Sequence, residues 1–168
     1  NKKFGTVVIE PLEKGFGTTL GNALRRVLLS SLQGTAISSI KINGVLHEFS
    51  TIEGVREDVT DIIMNLKNVT FNSKSNHSQK LSLNIKGPKE VLSSDFEENP
   101  EVEIIDKDAV IMNVDSNREV NLEIFLDVNK GYISAEKNKD NENKSVGQII
   151  LDATYSPVKR VSFNVENS

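Results

Sequence analysis

Cysteine and tryptophan are absent from this sequence of 168 residues, and only two histidines occur, His47 and His77. The lack of cysteine excludes disulfides, thiolate zinc sites and cysteine nucleophiles together. The two histidines lie far apart along the chain, which argues against a histidine-rich metal site. No apolar run approaches the roughly 20 residues of a membrane span, and the first residues do not follow the pattern of a signal peptide. We therefore expect a globular protein of the cytoplasm with no membrane contact.

An excess of basic residues is also missing. Lysine and arginine number 20 against 24 acidic residues, which gives a formal net charge of -4 and an isoelectric point near 5.3. A free-standing nucleic-acid binder normally shows a basic balance or a basic stripe, so this class is disfavoured. The hydrophobic fraction of 37% and the charged fraction of 26% are typical of a chain with a packed core. The length suits one ordinary domain or two small ones.

A β-branched run and a glycine-rich stretch precede the first predicted helix. Residues 6–10 (TVVIE) predict a short strand that a proline ends. Gly15 and Gly17 predict a flexible turn, and Thr18 or Thr19 would cap the helix that follows. The glycine spacing misses the dinucleotide-binding fingerprint, because Leu20 stands where the third glycine is required, and there is no P-loop motif. We therefore interpret this stretch as a turn and reject a nucleotide site.

The first helix is the most strongly patterned element of the sequence. Apolar residues recur at helical spacing up to Gly34, at Leu20, Ala23, Leu24, Val27, Leu28 and Leu32. On a helical wheel Leu29 falls almost opposite this face, between Arg25 and Arg26. This pattern predicts burial on two sides, one against the helix's own domain and one against a partner. Because arginine is enriched at interfaces and prefers bidentate contacts, we favour an interface over a solvated face for both arginines.

A second amphipathic helix is predicted behind a capping box formed by Ser50 and Glu53. Its apolar positions are Val55, Val59, Ile62, Ile63 and Leu66. Glu57, Asp58 and Asp61 would form its solvated side rather than a metal cluster, and Lys67 would end it, where a cation suits the helix dipole.

The dipeptide His47-Glu48 resembles the start of a zinc metalloprotease motif. Thr51 stands where the second histidine would be required, so no zinc pair can form. A general-base role has no nucleophile nearby in sequence. We favour the simpler interpretation, in which these are polar residues close to the end of a strand.

The rest of the sequence alternates in the manner of strands. The predicted strands are 37–42, followed by an Asn43-Gly44 turn and Val45-Leu46, then 81–85, 102–104, 110–114, 120–128, 149–151 and 161–165. Residues 120–128 show the clearest period of two. Residues 136–144 are all charged or amide residues, and they predict a solvated loop. Strands dominate over two helices, so the predicted fold class is α+β.

Several of these stretches occur together, in the same order, in the α subunit of bacterial-type RNA polymerase, which the chain resembles. The shared stretches are 10–17, 19–31, 43–50, 57–58, 65–67 and 152–158, whereas about 71–119 carries far less of the resemblance. The resemblance implies the N-terminal domain of α in two lobes. A discontinuous dimerisation lobe would comprise 1–33 plus 157–168, and a mainly β lobe at 34–156 would be inserted into it.

The resemblance also implies partners and contact residues, with no cofactor, no metal and no catalytic residue in this chain. Two α subunits of the family pair and then recruit the large subunits β and β′ of a DNA-directed nucleotidyltransferase. The implied dimer interface consists of Phe16, Leu20, Leu24, Val27, Leu28 and Leu29. The implied large-subunit contacts are Arg25, Arg26, His47 and Glu48 towards β and, in the other copy, Lys67, Asp152, Tyr155, Ser156 and Pro157 towards β′.

The chain departs from the family pattern at both ends. It begins inside the family's first strand region and stops before the helix that pairs with the partner's first helix, so we expect weakened dimerisation. It also lacks the promoter-binding C-terminal domain, so we expect no direct DNA contact. The location would be the bacterial cytoplasm, with the nucleoid, or an organellar stroma.

Two other classes of function stay open at this point. The first is a stand-alone enzyme that holds a nucleotide at the glycine turn, which nucleotide-dependent thermal stabilisation would reveal. The second is a dimerisation module of unrelated function, which would bind no polymerase subunit.

Overall fold

Residues 3–140 and 145–167 are described by the computed structural model of the chain. Within these ranges the helices are α1 (Phe16–Ser30), α2 (Val59–Lys67) and α3 (Ala135–Lys139), with a 3-10 turn at Ser93–Asp95. The strands are β1 (Gln33–Ile42), β2 (Phe71–Ser73), β3 (Gln79–Lys86), β4 (Lys89–Leu92), β5 (Val102–Ile104), β6 (Val110–Val114), β7 (Glu119–Lys130), β8 (Tyr132–Ile133), β9 (Ile149–Ile150) and β10 (Ala153–Thr154). The α+β class is confirmed.

The main sheet has four strands in the order β3-β7-β1-β9, and each neighbouring pair is antiparallel. β1 and β7 pair over their length, from Gln33 opposite Lys130 to Ile42 opposite Leu122, with an irregularity between Ile37 and Ser39. The period-two pattern of β7 places alternate apolar side chains on one face, and these are buried. The remaining strands form two-stranded pairs, β2 with β5, β4 with β6 and β8 with β10.

The hydrophobic core combines buried side chains of the main sheet, of α2 and of the β4–β6 pair. Val59, Ile62, Ile63 and Leu66 form the buried side of α2, as their spacing predicts. The buried apolar cluster of the described residues runs in sequence from Ile37 to Leu151 and includes no residue of α1. This distribution is compatible with a division into an inserted lobe and a terminal lobe, whose boundaries stay a prediction.

The glycine-rich stretch differs from the prediction. α1 begins at Phe16, and its N-cap is Gly15, whose φ of 88° lies in the left-handed region that favours glycine. The predicted threonine caps are therefore wrong, and Gly17 and Gly21 lie inside the helix. The Thr19 hydroxyl instead donates back to the Gly15 carbonyl at 3.4 Å.

Three predicted strand segments are not strands. Residues 6–10 and 161–165 have no strand partner among the described residues, and neither do Val45 and Leu46. Val7 and Val8 are 82% and 76% exposed, and Leu46 is 80% exposed. β-branched and alternating sequences favour a strand only where a neighbouring strand supplies hydrogen bonds, and no strand within 3–140 or 145–167 lies beside these segments.

The start of α2 also corrects the sequence interpretation. Its N-cap is Asp58, whose carboxylate accepts a hydrogen bond from the Asp61 amide at 2.8 Å, so the predicted capping box of Ser50 and Glu53 is wrong. Glu57 lies before the helix and is half-buried: it accepts hydrogen bonds from the backbone and side-chain nitrogens of Asn113, both at 2.7 Å. The prediction that Lys67 ends the helix is confirmed.

The predicted loop at 136–144 is partly helical. α3 covers Ala135–Lys139, and Ser134 caps it by accepting from the Lys137 amide. Asn138 is only 3% exposed, and its amide donates to the Leu151 carbonyl at 3.1 Å. A buried amide with a backbone partner explains why a polar sequence contributes to the fold here. Residues 141–144 of the predicted loop lie outside the described residues.

Candidate interaction surfaces

α1 exposes most of the apolar face that its sequence predicts. None of its residues is buried. Phe16, Val27 and Leu24 are 56%, 49% and 41% exposed, whereas Leu20, Leu28 and Leu29 are half-buried. The expected burial on two sides is therefore not completed within one chain. An amphipathic helix of 15 residues with an uncovered apolar face is a common feature of protein interfaces.

The C-terminal segment, residues 161–165, covers one side of α1 at Gly17 and Gly21. A Cβ atom added at Gly17 would lie 2.8 Å from Cγ1 of Val165, and one added at Gly21 would lie 2.5 Å from the Phe163 ring. The absence of side chains at these two positions thus permits the segment to approach the helix backbone. Phe16, which projects from a neighbouring side of the helix, stays exposed.

Arg25 and Arg26 are exposed on α1, in the second half of the helix. The structure gives neither of them an ion pair with a described residue. The Arg26 carbonyl accepts a hydrogen bond from the Ser30 hydroxyl at 2.6 Å. Both side chains are therefore placed on the surface, as an interface role requires.

His47 and Glu48 lie in an exposed loop between β1 and α2. The Thr60 hydroxyl donates to the Glu48 carbonyl at 3.0 Å, which ties the loop to the first turn of α2. The residues on either side of the pair, Leu46 and Phe49, are 80% and 79% exposed. The sequence does not predict this exposure, because its pattern indicates a strand at Val45-Leu46. Two large apolar side chains therefore lie exposed on either side of an exposed polar pair.

The outer face of α2 continues from this loop. Thr60, Met64 and Lys67 are spaced four and three residues apart, so they share one side of the helix. Met64 is 60% exposed, and Lys67 is exposed in the last turn. Lys67 therefore lies at the opposite end of α2 from the loop that carries His47.

The Asp152 carboxylate lies at the start of α3 and forms part of the surface there. Its carboxylate accepts a hydrogen bond from the Ala135 amide at 2.6 Å. Partial desolvation of Tyr132, with a further contribution from the Asp152 charge and its hydrogen bond, raises the pKa of the Tyr132 phenol. Tyr132 is 62% exposed, so it forms part of the same surface as Asp152.

Tyr155 differs from its neighbours because its side chain is buried. It is 2% exposed, and burial, with a smaller effect of the Asp127 charge, raises its pKa to about 12. The Ser156 hydroxyl donates to the Val158 carbonyl at 2.9 Å, and Pro157 is exposed. Tyr155 therefore supports the surface at 152–157 from inside, while Asp152 and Pro157 lie on it.

Apart from Lys67 on α2, the predicted contact residues form two groups near opposite ends of β1. α1 and the 152–157 segment lie near Gln33 and Lys130, because Tyr155 donates its amide to the Gly131 carbonyl at 2.7 Å. The His47 loop follows the other end of β1. The ten residues of β1 separate the two ends by about 30 Å. No single pocket could hold both groups, which suits contacts with large partners rather than with a small ligand.

Metal and membrane sites find no support in the described part of the chain. No group of three or more histidine, aspartate or glutamate residues there could hold a metal ion. No helix among the described residues is both long and apolar enough to cross a membrane.

The chain matches a model of a known protein family. The family model described as the RNA polymerase Rpb3/RpoA insert domain matches residues 40–156. The matched range covers well over half of the chain and includes α2, the His47 loop and the segment that ends at Ser156. It begins after α1, within β1.

Proposed function

Because the chain belongs to the RNA polymerase Rpb3/RpoA insert-domain family, we propose that it is the non-catalytic assembly subunit of a DNA-dependent RNA polymerase. The resemblance to the α subunit that its motifs carry is thereby confirmed, and the complex to which such a subunit belongs is a nucleotidyltransferase. In this proposal two copies pair through α1 and then recruit the two large subunits, β and β′.

The observation that carries the proposal is the uncovered apolar face of α1. Phe16, Leu20, Ala23 and Val27 are spaced four, three and four residues apart and form one stripe. The C-terminal segment covers Gly17 and Gly21 instead. The exposed stripe supports a second copy of the chain as its occupant, because the same helix of that copy offers a matching apolar stripe across a two-fold axis. Leu24 and Leu28 would border this contact, whereas Leu29 lies almost opposite the stripe and would need a second contact with the partner.

The surface towards β would combine α1 with the His47 loop. Arg25 and Arg26 are exposed and can donate several hydrogen bonds to carboxylates of a partner. His47 and Glu48 would bind together with the exposed apolar side chains of their neighbours Leu46 and Phe49. Large apolar side chains surrounded by polar groups are typical of residues that dominate binding energy.

The surface towards β′ would use the second copy. Lys67, the exposed Asp152 and Pro157, and the half-buried Ser156 would make these contacts. Tyr155 would act indirectly, since its side chain is buried under that segment. Two identical chains then use different surfaces, because two unlike large subunits bind on a symmetric dimer.

The catalytic chemistry would lie in the other subunits. Nucleotidyl transfer depends on carboxylates that hold metal ions, and the sequence of this chain has no motif for them. The alternative of a nucleotide-binding enzyme loses its proposed site, because Gly17 and Gly21 lie within α1 and contact Val165 and Phe163. They therefore do not form an open phosphate-binding loop.

The test is co-purification of the chain with the β subunit. The unmodified chain should be retained, and Arg26→Ala should weaken binding by about 2–5 kcal/mol, at least roughly 30-fold, if Arg26 makes a buried charged contact. Arg56→Ala is the matched control, because Arg56 is exposed and already paired with Asp115 at 2.9 Å. Equal binding by both variants would remove Arg26 from the interface, and failure of the unmodified chain to bind would refute the assembly role.

A further inference from the structure

Two stretches of backbone lie in direct contact near the C-terminal end of α1. Gly34 lies in the second position of β1, four residues after the last residue of α1. A Cβ atom added at Gly34 would lie 1.8 Å from the carbonyl oxygen of Tyr155 and 3.4 Å from Cδ of Pro157. Gly34 does not have a positive φ. Position 34 therefore requires glycine because another backbone segment approaches it closely, and not because of the backbone conformation of Gly34 itself.

A third segment completes this crossing. The Tyr155 amide donates to the Gly131 carbonyl at 2.7 Å, and the Gly131 Cβ position lies 3.9 Å from the Ser30 carbonyl oxygen, at the end of α1. Tyr155 itself is buried at 2% exposure. The outgoing chain at Gly34, the returning chain at Tyr155 and the turn at Gly131 thus lie together next to the C-terminal end of α1. We refer to Gly34, Gly131 and Tyr155 as the crossing.

We propose that Gly34 is a positioning residue, and that the crossing sets the orientation of α1 relative to the body formed by the main sheet and α2. The functional part of this inference rests on the proposed assembly role, in which α1 and the His47 loop must reach the same large subunit. No α1 residue is buried and none belongs to the core cluster. Side-chain packing against that core therefore contributes little to orienting the helix.

A small displacement at the crossing would become large along α1. Nonbonded atoms rest at about 3.5 Å, so an alanine methyl at Gly34 would push the Tyr155 carbonyl away by roughly 1.5 Å or more. The 15 residues of α1 extend about 22 Å from the crossing. A tilt at its base would move the far end of the helix by several ångströms, while the pairing of β1 with β7 stays in place.

Distances between spin labels test the inference in the full chain. The chain has no cysteine, so paired cysteine substitutions accept labels selectively. Asn22→Cys on α1 with Asn121→Cys on β7 reports the orientation of the helix, and Asn72→Cys on β2 with Asn121→Cys reports the body alone. All three positions are exposed. Labelled chains are diluted with unlabelled chain, so that pulsed electron paramagnetic resonance measures distances within one copy.

The expected result has two parts. The unmodified chain should give one narrow distance between Asn22→Cys and Asn121→Cys, and Gly34→Ala should shift or broaden that distance by several ångströms while the distance within the body stays the same. Gly5→Ala is the control, because nothing lies within 4 Å of its Cβ position, and it should change neither distance.

Other results would overturn the inference. A broad distance distribution in the unmodified chain would show that the crossing does not orient α1, and this measurement does not depend on the folding of any Gly34 variant. An unchanged α1 distance in Gly34→Ala would show the same. A changed distance within the body would show that Gly34 is an ordinary residue of the core.

Binding to the β subunit separates this inference from the assembly role. If both hold, Gly34→Ala should lower retention by β at least tenfold, and Gly5→Ala should not. If the unmodified chain is not retained, the assembly role fails while the label distances still decide the role of the crossing. If Gly34→Ala changes the α1 distance but binds β as the unmodified chain does, the functional part of the inference is refuted.

Discussion

Replacing Phe16 with alanine tests directly whether α1 pairs with a second copy of the chain. Phe16 is the first residue of α1 and is 56% exposed. Alanine is the best helix former, so the substitution should leave α1 and the fold of the single chain intact. The loss should instead appear in self-association, where the phenyl ring would be covered by the partner.

The size of the effect follows from the exposed area. A phenylalanine buries about 200 Å² when fully covered, so the exposed 56% of Phe16 corresponds to about 110 Å². At about 25 cal/mol per Å² this area contributes roughly 3 kcal/mol per ring. Because alanine keeps part of that contact, we expect a loss of about 2 kcal/mol per copy and about 4 kcal/mol per two-fold dimer. This is a weakening of about a thousandfold.

Sedimentation equilibrium over a range of concentrations measures this change. Phe49→Ala is the matched control: Phe49 is 79% exposed, but it lies in the loop between β1 and α2, away from α1. It should leave self-association unchanged. Equal dimer affinity of Phe16→Ala and the unmodified chain would refute the reasoning, as would a loss of thermal stability in the Phe16→Ala single chain.

Two further predictions concern stability. Glu57→Ala leaves the half-buried backbone and side-chain nitrogens of Asn113 without their acceptor and should lower the free energy of unfolding in urea by about 1–3 kcal/mol. Glu53→Ala removes a side chain that is 93% exposed in an ion pair and should cost at most about 1 kcal/mol. Equal losses would contradict the prediction. Burial raises the pKa of Tyr155 from 10.0 to about 12, so the unfolded chain loses the phenol proton at a lower pH than the folded chain. Tyr155 therefore contributes stability that is complete below pH 10 and is lost as the pH rises towards 12. Tyrosinate absorbance of a Tyr132→Phe chain should show this late titration, and a midpoint near the ordinary value would refute it.

Local patterns in the sequence were sufficient for the elements whose partners lie in the same core. The alternation at 120–128 became β7, and the spacing of Val59, Ile62, Ile63 and Leu66 became the buried side of α2. Both patterns record which side of an element faces the core, and that is a property of sequence spacing alone. The α+β class and the family resemblance follow from the same local information.

The errors of the sequence analysis arise where a partner or a close approach decides. Residues 6–10 have the composition of a strand, but no strand of the described chain lies beside them. Gly17 is of a residue type common in turns, but it lies in α1, at a point where Val165 approaches the helix closely. Asn138 is polar in a polar stretch, yet it is buried because the Leu151 carbonyl supplies its hydrogen-bond partner.

The residues of the candidate surfaces also divide into those that the sequence predicts and those that only the structure reveals. Arg25, Arg26, His47 and Glu48 were accessible to sequence reasoning, because motif resemblance needs no coordinates, and their roles stay predictions. The exposure of Leu46 and Phe49 could not be predicted from the sequence, since solvent exposure depends on what the rest of the chain leaves uncovered.

The sequence by itself determined the spacing of apolar and polar residues, and with it the class of fold, the two main amphipathic helices and the family. Only the tertiary structure decided that α1 stays outside the core, that Tyr155 is buried, and that Gly34 lies against the Tyr155 carbonyl. The physical reason is that burial and close contact are relations between segments far apart in the chain. A local pattern states which residues prefer to be covered, and the folded arrangement states which of them are.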